Sequence, residues 1–270
     1  METVFDSAWK KISARTGTPE IEITMLPNLS TMLFGIHRQE MMVIGARTSQ
    51  GKTAFALQLA YDMAKQGKRV YYFSLEMSSE SLVERLFCQT ALIPNHELMY
   101  HPERYVDKAM AFSQLLADLP LVIVHNIGWS INELWKAIAD LPKADAVIVD
   151  YVQMIRNFEN NKLETITQYT IKFREMCDTG NFAGILLSQV NRGAMEQMTK
   201  EPQLWLLKGS GALEENCDTC LLLHWDYIYS SNINKFNDYS VLVAKQRNGM
   251  TGKLTINFKP QYYKFEEKPV

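Results

Sequence analysis

From Glu40 onward, short apolar runs alternate with stretches whose apolar residues recur at helical spacing. The runs Met41–Gly45, Arg69–Ser74, Leu121–Val124, Ala146–Asp150, Gly184–Ser188 and Thr219–His224 predict strands. They are mostly apolar rather than alternating, as strands buried on both faces require. Between them, Thr53–Lys65, Ser79–Thr90, Glu103–Leu116, Ile131–Ala139 and Glu164–Asp178 predict helices. Such alternation predicts an α/β fold, a mostly parallel central sheet flanked by helices. Past Tyr239 the pattern becomes strand, turn, strand, with Val241–Gln246 and Lys253–Phe258 either side of Asn248-Gly249. Asn-Gly between such runs signals a C-terminal β-hairpin, whose turn Met250-Thr251-Gly252 would lengthen.

The first residues follow another rule. Val4, Phe5, Ala8, Trp9 and Ile12 recur at helical spacing, and Thr16-Gly17-Thr18-Pro19 closes the segment. This predicts a short amphipathic helix over residues 1–18, followed by one domain over 19–270. A helix so short needs a surface to pack on, its own domain or a neighbouring subunit.

Composition narrows the class. Of 270 residues, 47% are apolar and 21% charged, ordinary for a globular protein with a sizeable core. No apolar run approaches the ~20 residues of a membrane span. The acidic Met1–Asp6 has no signal-peptide core, so a cytoplasmic address is expected. Cys88, Cys177, Cys217 and Cys220 fit a reducing compartment. Cys217-x-x-Cys220 lacks a second pair or a histidine at zinc spacing, and reads as small residues on a helix leading into the strand Leu221–Leu223. A net charge of −2 excludes a broadly basic coat, so any nucleic-acid contact must be local.

Candidate chemistry concentrates at the first strand's end. Gly45-Ala46-Arg47-Thr48-Ser49-Gln50-Gly51-Lys52-Thr53, between a strand and a helix, is a phosphate-binding loop. Its glycines let successive N–H groups point into one anion hole, and the helix N-terminus adds positive charge there. Gly45, Arg47, Ser49, Gly51, Lys52 and Thr53 are the candidate nucleotide contacts. Lys52 would reach the β- and γ-phosphates and the Thr53 hydroxyl would bind Mg²⁺, so ATP with Mg²⁺ is the expected cofactor pair. Ala146–Asp150 is a buried strand delivering a carboxylate at its tip, and Asp150 would hold Mg²⁺ through water. Glu76, just past Tyr72-Phe73-Ser74, could polarise the attacking water or could simply cap the helix near Ser79. Gln189 ends a third strand, where it could sense the γ-phosphate.

Read together, five strings resemble the ordered motif series of DnaB-type replicative helicases. They are Ala46–Thr53, Ser74-Leu75-Glu76-Met77, Val149-Asp150-Tyr151-Val152-Gln153-Met154, Leu187-Ser188-Gln189-Val190-Asn191-Arg192 and Lys245-Gln246-Arg247-Asn248-Gly249. The resemblance runs from about residue 25 to the end. It implies a RecA-like ATPase domain working as a hexameric ring on single-stranded DNA, moving 5′ to 3′ in DNA replication. It also implies that Glu76 is the catalytic glutamate, Asp150 the magnesium acid and Gln189 the phosphate sensor. Lys245 and Arg247 match the pair that reaches into a neighbouring subunit's site, and residues 1–18 resemble the family's linker helix. A bacterial or phage-infected cytoplasm is the implied setting, with primase or a helicase loader as further partners.

Two departures stand out. Only a dozen or so residues precede the core, where full-length members carry a helical collar domain that meets primase. The chain thus reads as a minimal phage- or plasmid-type version, a fragment, or a member with another task. The stretch Trp205–Glu214 also places Lys208 where the family usually has arginine. Arg192, Lys200 and Lys208, offset by Glu196 and Glu201, are the cations expected on the DNA-facing loop; the loop after Asp150, with Arg156 and Lys162, is either a second such loop or a plain solvated one. So thin a charge predicts modest, salt-sensitive affinity per subunit. Trp205 could stack on a base, and is expected rather to pack on its own domain. The alternatives to a motor are a RecA-type recombinase and an ATP-gated accessory protein that does not unwind DNA by itself.

Overall fold

Nine strands join into one sheet in the order β3-β2-β4-β5-β1-β6-β7-β8-β9. The computed structural model describes residues 3, 5, 6, 9, 19–126, 128–150, 162–190, 201–207, 210–230 and 232–268. The strands are β1 (Met41–Ala46), β2 (Val70–Ser74), β3 (Leu121–His125), β4 (Ala146–Asp150), β5 (Ala183–Gln189), β6 (Thr219–His224), β7 (Asp238–Gln246), β8 (Gly252–Lys259) and β9 (Lys264–Glu266). All pairings from β3 to β6 are parallel, and those from β6 to β9 are antiparallel.

Period-two side-chain alternation divides the core into two layers. Met42, Ile44 and Ala46 of β1 join one apolar cluster with Tyr72, Ile148, Ile185 and Leu221; Met41 and Val43 join the other with Phe73, Val147 and Leu222. The first layer is covered by α1 (Pro27–Leu33), α2 (Lys52–Lys65) and α3 (Ser79–Ala91). The helices α4 (Asn95–Tyr100) and α5 (Val106–Asp118) follow α3. The second layer is covered by α6 (Ile131–Ala139), α7 (Lys162–Gly180) and α8 (Ser210–Asn216), while α9 (Tyr227–Ser230) is a single turn beyond β6. Ser78 caps α3 by accepting the Ser81 N–H, and Ser130 and Glu133 form a capping box on α6.

Several expectations need correction. Pro102 opens a 3₁₀ turn, Pro102–Tyr105, so the helix expected from Glu103 begins at Val106. The C-terminal hairpin, by contrast, forms with the expected lengthened turn. The β7–β8 ladder ends at Val243 opposite Gly252, and β7 runs on along β6 to Gln246. Gly249 accordingly lacks the positive φ a tight Asn-Gly turn demands. Cys217 follows α8 and Cys220 lies in β6, so neither is helical; both are buried free thiols. Of the helix expected over 1–18, Phe5 and Trp9 stand exposed with their rings stacked 6.2 Å apart, and Val4, Ala8 and Ile12 lie outside the described residues.

Helix α7 meets the sheet at Gly184, where an added Cβ would lie 2.3 Å from Cys177 Sγ and 2.6 Å from Phe173 Cε1. Gly184→Ala is therefore expected to lower stability by about 1–3 kcal/mol through overpacking. A chemical-denaturation midpoint equal to that of the unaltered protein would contradict this close approach.

Candidate active site

The register brings the chemistry to one edge. Gly45 pairs with Ser188 and Ala46 with Gln189, while Ser74 pairs with Asp150, so these strand tips share the carboxyl edge of the parallel sheet. The loop between β1 and α2 lies along that edge. Gly45 admits Leu207 and Leu222, whose Cδ2 atoms would be 2.5 and 2.8 Å from an added Cβ. Gly51 takes φ +81°, the left-handed conformation that turns the chain into α2. Ser49 also has a positive φ, 64°.

The loop is pinned from behind. The Gln50 side chain is buried, accepts the Trp225 N–H and donates to the Tyr229 hydroxyl at 3.3 Å. The Tyr239 hydroxyl donates to the Gln50 carbonyl. Arg47 donates to the Tyr229 hydroxyl at 2.7 Å, and Tyr229 stacks on His224 with centroids 5.7 Å apart. These interactions come from the end of β6 and the segment after it, which sequence periodicity could not pair with residues 47–50.

Ala46, Arg47, Thr48, Ser49, Gly51, Lys52, Thr53, Glu76 and Gln189 line one cleft. Lys52 Nζ lies 3.9 Å from Asp150 Oδ1. Burial pulls the Lys52 ammonium below its ordinary range, and the Asp150 and Glu76 carboxylates oppose that shift. Asp150 is 1% exposed; its Oδ2 accepts the Tyr72 hydroxyl at 2.9 Å. Its Oδ1 is buried and, among the described residues, accepts no hydrogen bond. A buried, unmatched carboxylate oxygen at the floor of a phosphate loop fits a hard divalent cation. Among the described residues no three His, Cys, Asp or Glu side chains form a metal cage. A cation here would thus take most of its ligands from phosphate and water, as Mg²⁺ characteristically does.

Glu76 is exposed to the cleft and does not cap α3, which Ser78 does. Its place is set by neighbours: Leu75 is buried and donates its N–H to the Asp150 carbonyl at 2.7 Å. Ser74 Oγ donates to the Met77 carbonyl and accepts the Met77 N–H, closing a turn around Glu76. Gln189 donates to Thr48 Oγ1 at 2.7 Å, joining the β5 tip to the phosphate loop. Arg85, which sequence reasoning missed, also lines the cleft with its guanidinium 5.1 Å over the Tyr263 ring. The available signal was helical spacing, since Arg85 lies seven residues after the cap Ser78 and on its face.

Lys245 and Arg247 are not in this cleft. Thr219 pairs with Met42 on one side and Gln246 on the other, whereas Ala46 pairs with Leu223. Four residue steps along β1, about 13 Å, therefore separate the cation pair's edge from the phosphate edge. Lys245 donates to the Glu214 carbonyl, and Arg247 to the Glu215 carbonyl at 3.0 Å and to Asp218 Oδ1 at 3.1 Å. Trp205 does not pack on its own domain; it is 58% exposed between the anchored Leu204 and the buried Leu206 and Leu207. Glu201 pairs with Lys253. Arg156, Arg192, Glu196, Lys200 and Lys208 lie outside the described residues, as does the Lys162 side chain.

A family model for the DnaB-like helicase C-terminal domain matches residues 23–267. The chain is 30% identical over 261 residues to the replicative DNA helicase DnaB of Geobacillus stearothermophilus, covering 90% of this chain and 57% of that protein. It is 28% identical to the replicative DNA helicase DnaC of Bacillus subtilis, covering 93% and 56%. The chain thus spans just over half the length of these relatives. Among solved structures, a DnaB-like replicative helicase, described with its interactions with primase, superposes with a TM-score of 0.91 at 24% identity over 100% of this chain and 68% of that one. A second solved structure, of an ATPase domain, gives a TM-score of 0.89 at 25% identity over 97% and 96%.

Proposed function

The chain belongs to the DnaB-like helicase C-terminal domain family, and from that premise we propose that it is the ATP-hydrolysing motor of a replicative DNA helicase. It works as a ring of copies that moves 5′ to 3′ on single-stranded DNA. The observation that carries this reading is the split of the hydrolytic set. Lys52, Glu76 and Gln189 line one cleft with the buried Asp150 3.9 Å from Lys52, while Lys245 and Arg247 stand at the opposite edge of the sheet. Cations so placed are out of reach of their own cleft, and in this reading they complete the cleft of a neighbouring copy.

Within the cleft, the loop N–H groups and Lys52 bind the phosphates, and the N-terminus of α2 favours their charge. The Thr53 hydroxyl and, through water, Asp150 would hold Mg²⁺, which would supply charge neutralisation at the phosphates. Glu76 orients the attacking water and takes its proton. Gln189 reads the γ-phosphate and relays its loss to the residues beyond Val190. Primase and a helicase loader are the further partners this reading carries. No helix among the described residues is long and apolar enough to cross a membrane.

Steady-state ATPase assays with and without single-stranded DNA, at low and moderate salt, test the motor. DNA should stimulate turnover, the stimulation should fade as salt rises, and Lys52→Ala should abolish both. Turnover indifferent to DNA at every salt concentration would replace the motor with an ATP-gated accessory protein.

A further inference from the structure

Strand β2 brings one polar group into an otherwise apolar layer. Tyr72 is wholly buried in the cluster that packs under α2, among Phe55, Ile148 and Ile185, where a phenylalanine would fill the same space. A buried hydroxyl is unfavourable unless it is bonded, and this one donates to Asp150 Oδ2 at 2.9 Å. Ser74, not Tyr72, is the register partner of Asp150, so the hydroxyl reaches diagonally across the β2–β4 ladder to the carboxylate at its tip. The direction of the bond is fixed. A carboxylate oxygen accepts, so the phenol hydroxyl is the donor.

The bond has a consequence for the other oxygen. A carboxylate on a strand tip can rotate about its last torsion, presenting either oxygen or neither. With Oδ2 tied down by Tyr72, Oδ1 faces Lys52 Nζ at 3.9 Å and, among the described residues, accepts no hydrogen bond. We propose that Tyr72 is a positioning residue for Asp150, its hydroxyl turning the carboxylate so that Oδ1 faces the divalent cation bound with the nucleotide. The inference rests on the metal-binding role given to Asp150 under the proposed function. Outer partners that orient metal ligands contribute about 10–100-fold in affinity.

Tyr72→Phe keeps the ring and removes the one atom concerned. Titrating Mn²⁺ by electron paramagnetic resonance, in the presence of a non-hydrolysable ATP analogue, reads the metal directly, and fluorescent-nucleotide binding in EDTA reads the cleft without it. Tyr72→Phe should weaken Mn²⁺ binding about 10-fold or more and leave nucleotide affinity in EDTA unchanged. Asp150→Asn runs alongside. If Asp150→Asn weakens Mn²⁺ and Tyr72→Phe does not, the positioning role is wrong while Asp150 keeps its own. If neither variant changes Mn²⁺ binding, the metal role of Asp150 falls and the inference with it. If Tyr72→Phe also loses nucleotide in EDTA, the hydroxyl supports the fold rather than the metal, and the inference is overturned.

Discussion

Arg247→Ala is expected to lower ATP turnover by about 10³-fold or more while leaving nucleotide affinity intact, because in the proposed ring the arginine serves a transition state in another copy's cleft. Within its own chain Arg247 cannot reach the phosphates. Its backbone N–H is bonded to the Asp218 carbonyl, and its guanidinium is bonded to the Asp218 carboxylate and the Glu215 carbonyl. Lys245 is held by the same end of α8, where unpaired helix carbonyls favour cations. Mixing separates the trans role from a structural one. Combining Arg247→Ala with Glu76→Gln subunits pairs an intact cleft with an intact arginine at about one interface in four of a random ring. Turnover should reappear in the mixture although each variant alone is inactive. A mixture as silent as its parts would mean that Arg247 acts through its own subunit. Full activity of Arg247→Ala alone would remove the residue from the chemistry.

Much of this site is legible in the sequence because strand tips announce themselves. Asp150 and Gln189 each end an apolar run, and Lys52 sits in a glycine-bracketed loop, so period and composition alone place all three at element ends. What stays hidden depends on pairing across long sequence separations. The Tyr72–Asp150 bond joins residues 78 apart, and nothing distinguishes that tyrosine from a core aromatic until β2 lies beside β4. The length of the turn after Asn248-Gly249 is likewise set only once the β7–β8 register is known, since the ladder stops at Val243 opposite Gly252. Tryptophan is usually buried, which favours packing for Trp205, but its neighbours Leu206 and Leu207 take the available space, Leu207 against the glycine of the phosphate loop. Helix α1 is bracketed by Pro27 at its start and Gly35 past its end, but at seven residues it is too short to show a period, and its Leu29 and Leu33 are placed only by the first apolar layer they join.

Glu76→Gln should separate binding from hydrolysis most sharply. Glutamine keeps the side-chain length and can still hydrogen-bond, but it cannot take a proton, so the expected loss in kcat is about 10²–10⁴-fold. The backbone at Glu76 is held by the buried Leu75 and the Ser74–Met77 turn, neither of which depends on the carboxylate, so the fold and the cleft should persist. Glu76 also contributes to the charge that supports the Lys52 ammonium, against the burial that opposes it. Removing that charge leaves the Asp150 carboxylate at 3.9 Å still supporting Lys52. ATP affinity should therefore stay close to its original value. The variant should accumulate in the ATP-bound state and, if Gln189 relays that state to the DNA-facing loop, hold single-stranded DNA longer than the unaltered protein does. Single-turnover hydrolysis and DNA dissociation measured on one preparation decide the matter. Hydrolysis at the original rate would assign water activation to another group, and slow hydrolysis with unchanged DNA release would uncouple Gln189 from the loop it precedes.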